Sequence, residues 1–285
     1  MPVDFSSHSE ISCQYALSLT KATDAEIFLF HSFFDQLYFS DGGINTGFET
    51  GIMLNDEIIL DFYEKKEAKL KKLAEDLQAG MANPDKSGVK VSYRMEKGDP
   101  EVQIMNVLLQ IKPDLIIMGS SGMGKKGLLS GSVARRIIDH AKVPVIAVPD
   151  RKDLPVIKNV AYMTTFDQAD CDIILKIDDV LFPLNVNIFC LHLIQDDNYI
   201  DVKRSMDDLS EKQLLKSLKG RITYNILDSY HQKDTLHDFL EVHHIDLIAF
   251  IPHKRNILKN IFYKGITKED LFHTHTPIMA IKPIQ

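Results

Sequence analysis

The 285-residue chain reads as an α/β protein of two tandem, doubly wound, parallel five-stranded sheets of Rossmann-like type. Three observations predict this. Short apolar runs alternate with amphipathic helical stretches, the alternation occurs twice in the same order, and a glycine-rich segment leaves one apolar run directly. A parallel neighbour can be reached only by a crossover, and a helix is the usual crossover.

In the first half, residues 9–23 form a helical stretch with Ile11, Tyr15, Leu19 and Ala22 on one face. Ile27–Ser32 is a strand, Leu54–Ala79 a long charged amphipathic helix, Val89–Met95 a strand and Pro100–Ile111 a helix. Leu115-Ile116-Ile117-Met118 has no polar break, as in a strand covered on both faces. A helix from Ser132 and a last strand at Val143–Val148 complete the half. The second half places strands near Val160, Ile188, Ile222, Leu247 and Ile278. The first strand of the first half should precede Asp4, where only Met1-Pro2-Val3 stands, against a fuller Val156–Thr164 in the second half. A very short first strand and a start further upstream both account for this.

The repeat is visible residue by residue. Phe5 lies 26 residues before His31, and Phe166 lies 26 before His192. Asp114-Leu115-Ile116-Ile117 matches Asp246-Leu247-Ile248-Ala249, and Val143-Pro144-Val145 matches Thr276-Pro277-Ile278. The seam falls at Pro149–Pro155, so the expected domains are 1–150 and 151–285.

Composition bounds the function. A net charge of −7 argues against a general binder of nucleic acid or anionic membrane. No apolar run approaches membrane-spanning length, and no secretory signal opens the chain. Cys13, Cys171 and Cys190 lack metal-ligand spacing and form no even set, which predicts reduced thiols and a cytoplasmic location.

The chemistry is expected in Gly119–Ser132. Gly119, Gly122, Gly124, Gly127 and Gly131 let backbone approach a ligand, and a helix N-terminus follows. Gly119, Gly124 and Lys125 fit most of a phosphate-loop pattern, but Lys126 stands where Ser or Thr would hold magnesium. Gly122, Gly124 and Gly127 spell a dinucleotide fingerprint, but on a late strand instead of the first. The third reading joins Gly119, Gly122, Gly131 and Ser132. With the repeat, this segment resembles the universal stress protein family, whose nucleotide-binding members carry G-x-x-G, nine residues, then G-[ST]. Here eight residues separate Gly122 from Gly131. Pro2-Val3-Asp4-Phe5-Ser6 resembles the family's P-x-D-x-S start, and Gly98-Asp99-Pro100 its G-x-P turn.

The resemblance implies a fold like that of the adenine nucleotide alpha hydrolases. It implies a cytoplasmic stress-response protein binding ATP, ADP or AMP, with or without Mg2+, in its first domain. The second domain would act as an intramolecular partner mimicking a dimer, with a homodimer also open. Backbone N–H groups at Gly119, Gly122, Gly131 and Val133 and the Ser132 hydroxyl would hold phosphate. Asp4 would contact the adenosine part, Phe33 would lie near the base, and Lys125 would add charge. Each has a plainer reading. Ser132 is a good N-cap, Asp4 could cap the first helix in competition with Ser7 and Ser9, and Lys125-Lys126 could be a solvated tip.

The second half reads Ile251-Pro252-His253-Lys254-Arg255 at the place of Gly119–Met123, and Thr165 at the place of Asp4, so a site of the first type is absent there. His237, His243, His244, His253, His273 and His275 match no zinc signature, and no metal site is expected. No nucleophile–base pair stands out, so at most slow ATP hydrolysis is predicted. A non-nucleotide scaffold of the same fold and a slow nucleotide hydrolase are the alternatives. Residues 33–55, richer in Gly and aromatics than their counterpart, would form a lid or an interaction loop.

Overall fold

The computed structural model describes residues 1–20, 25–33, 56–80, 90–120, 132–151, 156–182, 184–194, 199–228, 235–252 and 276–283. The first half runs α1 (Ser7–Thr20), β1 (Ile27–Phe33), α2 (Asp56–Gly80), β2 (Val91–Lys97), α3 (Pro100–Ile111), β3 (Ile116–Gly119), α4 (Ser132–His140) and β4 (Val145–Val148). The second runs β5 (Asn159–Met163), α5 (Ala169–Val180), β6 (Asn187–Ile194), α6 (Tyr199–Ser210), β7 (Ile222–Asp228), α7 (Thr235–Val242), β8 (Leu247–Phe250) and β9 (Ile278–Ala280). A 3-10 turn, Gln213–Leu218, precedes β7.

Local chemistry sets several of these bounds. The Asp99 side chain accepts from Val102 N at 3.1 Å and Pro100 fills the first turn of α3, where no intrahelical partner for an N–H exists. Lys112 in the left-handed region closes it, donating its N–H to Leu108 O. On α2, Leu70, Leu73, Ala74 and Leu77 recur at helical spacing, and Leu70, Ala74 and Leu77 are buried. On α1 the buried set is broader than the expected stripe and includes Ser9, Ser12, Cys13 and Ala16, while Ile11 is half-buried.

The α/β class stands, with every intra-half pairing parallel. The grouping into sheets differs from two separate five-stranded units. β9 pairs antiparallel with β4, so one seven-stranded sheet runs β3-β4-β9-β8-β5-β6-β7 across both halves. β1 and β2 form a second, two-stranded sheet. The division falls where the first strand of the first half should lie. Residues 1–3 supply a single bridge, Pro2 to Phe30, with Val3 N donating to Phe30 O and Phe30 N to Met1 O, both at 2.8 Å. In the second half β5 fills that place between β6 and β8.

Alternate strand residues feed two apolar layers. Leu29, Ile117 and Ile146 face one, and Phe30, Ile116 and Met118 face the other. Each fully buried side chain of this size contributes roughly 1.5–3 kcal/mol. Cys13, Cys171 and Cys190 are free and buried in the first layer. Burial pushes the Cys13 thiol up to about 12.

Candidate functional site

Ligands of doubly wound sheets meet the carboxyl ends of the strands. In the first half these ends are residues 3–4, Phe33, Lys97, Gly119 and Val148. The backbone there is tight. Phe5 takes φ 62°, and Phe166, its repeat mate, takes φ 58°. Bulky residues seldom adopt that region, so each strand-one exit holds local strain. In both halves a histidine locks the exit. His31 Nδ1 bonds Val3 O at 2.7 Å and its ring packs on Phe5 at 4.5 Å. His192 Nδ1 bonds Thr164 O at 2.8 Å and packs on Phe166 at 5.6 Å. Burial lowers the pKa of both rings. Both rings thus fasten the strand-one exit to the neighbouring strand.

Asp4 is engaged with its own helix. Its Oδ1 accepts from Ser6 N at 3.0 Å and from the Ser6 and Ser9 hydroxyls at 2.5 Å each. In the second half the arrangement is inverted. There the acid sits on the helix as Asp170, fully buried, accepting from Thr164 Oγ1 at 2.5 Å, Tyr162 Oη at 2.6 Å and Asp167 N at 2.9 Å. Burial, with Asp170 adding to it, pushes the Tyr162 hydroxyl well above its usual range.

Gly119 ends β3 against the start of α1. A Cβ there would meet His8 Cβ at 3.0 Å and the His8 carbonyl carbon and oxygen at 3.2 Å. A side chain there would need the first turn of α1 to give by a few tenths of an ångström, so the close approach of α1 favours glycine. Ser120 follows, 1% exposed, and its hydroxyl has no hydrogen-bond partner among the described residues, while its N–H donates to Val148 O at 2.8 Å. A buried unpaired hydroxyl is rare and costs about 1–3 kcal/mol. His8 Nε2 lies 3.6 Å from Asp150 Oδ2 at the same edge. Gly98, at φ 138°, turns the chain after β2; its N–H donates to Phe33 O and its carbonyl accepts from Ser32 Oγ. Lys66 Nζ stands 5.1 Å over the Phe5 ring.

The remaining expected residues divide. Phe33 is buried in the core, edge-on to Tyr63 at 5.8 Å. Ser132 and half-buried Val133 open α4, whose N-terminus carries free N–H groups and partial positive charge. Gly122, Lys125 and Gly131 lie outside the described residues, as does most of 33–55. Arg136, further along α4, is paired with Glu101 at 2.5 Å. In the second half Ile251, the counterpart of Gly119, is buried and Pro252 follows it. His8, Ser120 and Lys66 went unnoticed in the sequence, because only the fold brings them to this edge.

A sequence model described as the universal stress protein family matches residues 1–149. The chain belongs to that family. The universal stress protein MJ0531 of Methanocaldococcus jannaschii is 30% identical over 155 residues, covering 53% of this chain and 81% of that protein. The crystal structure of a universal stress protein from Archaeoglobus fulgidus superposes with a TM-score of 0.68 at 19% identity, covering 99% of this chain and 94% of that one. A functionally unknown protein, PA1789, from Pseudomonas aeruginosa superposes at 0.58 and 11% identity, covering 99% and 91%. At such identities the two superpositions show the fold alone, which the first of them shares with a universal stress protein. Among the described residues no helix is long and apolar enough to cross a membrane, and no cluster of His, Cys, Asp and Glu is placed to hold a metal.

Proposed function

We propose that this universal stress protein binds ATP or a related adenine nucleotide at the carboxyl edge of its first half, residues 1–150, in the cytoplasm. Residues 151–285 form a degenerate second domain that acts as its built-in partner. The observation that carries the reading is Ser120. Its buried hydroxyl, without a partner among the described residues, stands where the glycine-rich segment leaves β3, twelve residues before α4 begins. A phosphate oxygen is an acceptor suited to such a donor, and helix N–H groups add to it. Gly122, Gly131, Ser132 and Val133 would supply further donors, and Lys125 a point charge. Output would come through conformation or a partner, with at most slow turnover. Calorimetry with ATP and AMP tests this, with Gly131→Val as control. Heat of binding lost in the variant supports the site, and no heat and no thermal shift at millimolar ATP refutes it. Phosphate release that is robust and abolished by the same substitution would make the protein a hydrolase.

The Asp4 geometry favours a second reading, a scaffold that holds no nucleotide. Its carboxylate is occupied by Ser6 and Ser9, and Phe33 is packed in the core. Asp4→Asn separates the two. A loss of ATP affinity beyond any loss of stability supports binding, and a purely structural effect supports the scaffold.

A further inference from the structure

The two parts of the first half that bracket the candidate phosphate position are both held from the second half. One part is Ser120, whose N–H donates to Val148 O at 2.8 Å and so stands on the end of β4. β4 in turn pairs with β9, Val145 opposite Ala280 and Ala147 opposite Ile278. The other part is the first turn of α4. The far end of that helix meets a side chain of the second half: Lys282 Nζ donates to Asp139 O at 2.5 Å. That carbonyl lies in the last turn of α4, where helix carbonyls run out of intrahelical donors. A cation there also meets the negative end of the helix dipole.

Strand geometry aims Lys282 at α4. Side chains alternate between faces along β9 and its continuation. Ile278 and Ala280 enter the apolar layer that also holds Ala134, Ile137 and Ile138 of α4, whereas Met279 and Ile281 enter the other layer. Lys282 keeps the parity of Ile278 and Ala280 and so comes out on the α4 side. Burial pushes its ammonium below the ordinary value, with Asp139 acting against that shift. The contact runs one way. Val143-Pro144-Val145 matches Thr276-Pro277-Ile278, so Lys282 is the mate of Pro149, which has no side-chain donor to offer in return.

We propose that Lys282 is a positioning residue for the glycine-rich edge: it clamps the C-terminal end of α4 from the second half and so fixes where the N–H groups of the first turn stand against a phosphate. The inference rests on the nucleotide reading above and says what the built-in partner contributes to it. α4 has nine residues, roughly 13 Å at about 1.5 Å per residue, and a helix that short is close to straight. A shift of its held end is therefore felt at Ser132 and Val133. Ser120 rests on the strand that β9 holds, so β9 and Lys282 together keep the two parts at one spacing. The second half, which carries Ile251-Pro252 at the place of Gly119-Ser120, then serves the site through Lys282 instead of through a loop of its own.

Calorimetry of the 285-residue protein with ATP, on the parent, Lys282→Met and Lys282→Arg, tests this under conditions where circular dichroism shows all three folded. Methionine keeps much of the aliphatic length and loses the donor, whereas arginine keeps the cation. ATP affinity is expected to fall about fivefold or more in Lys282→Met and to stay within about twofold of the parent in Lys282→Arg. In protein carrying isotope-labelled lysine, the Lys282 side-chain resonance is identified by its loss in Lys282→Arg. That resonance is expected to shift in the parent at saturating ATP, because a coupling between the two ends of α4 acts in both directions. Equal ATP affinity in the parent and Lys282→Met, or equal loss in both variants, would overturn the clamp and leave the nucleotide reading standing. So would a Lys282 resonance that bound ATP leaves unmoved. No heat and no thermal shift with ATP in the parent would instead refute the nucleotide reading itself, and the clamp with it.

Discussion

Gly119→Ala separates two reasons for a glycine at the end of β3. One is room for a ligand; the other is room for α1. The added Cβ would lie 3.0 Å from His8 Cβ and 3.2 Å from the His8 carbonyl carbon and oxygen, all atoms that no side-chain rotation moves. Relief requires the first turn of α1 to shift by several tenths of an ångström, carrying Ser9 and its bond to Asp4 with it. Overpacking of this kind costs about 1–3 kcal/mol. Gly119 has no left-handed φ, so alanine regains about 0.4–1 kcal/mol by stiffening the unfolded chain. The middle of each range leaves a net loss of about 1.3 kcal/mol. At about 2–4 °C per kcal/mol for a unit near this size, the melting temperature should fall by about 3–5 °C. Differential scanning fluorimetry with and without ATP reads it. The packing argument expects the fall in the absence of nucleotide. An unliganded variant as stable as the parent, with weakened ATP binding, would refute that argument and assign the glycine to the ligand.

Two further outcomes are expected. Asp170→Ala leaves the Tyr162 and Thr164 hydroxyls without their buried acceptor, which costs about 2–5 kcal/mol by urea unfolding; a loss below about 1 kcal/mol would mean that water replaces the carboxylate. His31 and His192 both have native pKa values below the ordinary 6.5 because burial disfavours the imidazolium. Below that value the unfolded chain binds more protons than the folded one, so stability should fall as pH drops through 6.5 and be retained above it. His31→Gln/His192→Gln should flatten that slope in melts from pH 5 to 8; an unaltered slope would place the titration elsewhere.

Helix α3 was legible at its start, because Asp99 and Pro100 carry that cap in their own chemistry, while Lys112 closes it by a left-handed turn that lysine does not advertise. The strands were legible to within about two residues, since unbroken apolar runs mark strands covered on both faces. The antiparallel join of β4 to β9 was not, because Val145–Val148 and Ile278–Ala280 carry no mark of which edge they offer to what. Nor was the division of the first half, which depends on what lies between β1 and β3. At the site, Asp4 was read from its resemblance to the acid of the P-x-D-x-S start. Its three hydrogen bonds to Ser6 and Ser9 follow from the strained exit at Phe5, which folds the acid back onto α1. Asp170 was missed because the second half moves its acid from strand end to helix, and a spacing comparison looks only at equal positions.

The β4–β9 pairing has a consequence for exchange between molecules. One strand from each half is joined here within one chain, the halves being linked by residues 149–158 between β4 and β5. Tethering sets the effective concentration of such a pair at about millimolar, well above that of most free competitors. A single-domain relative would therefore have to displace a partner that never diffuses away. The pairing closes these two strands to other chains, and the strands left at sheet edges are β3 and β7 of the larger sheet and β1 and β2 of the smaller.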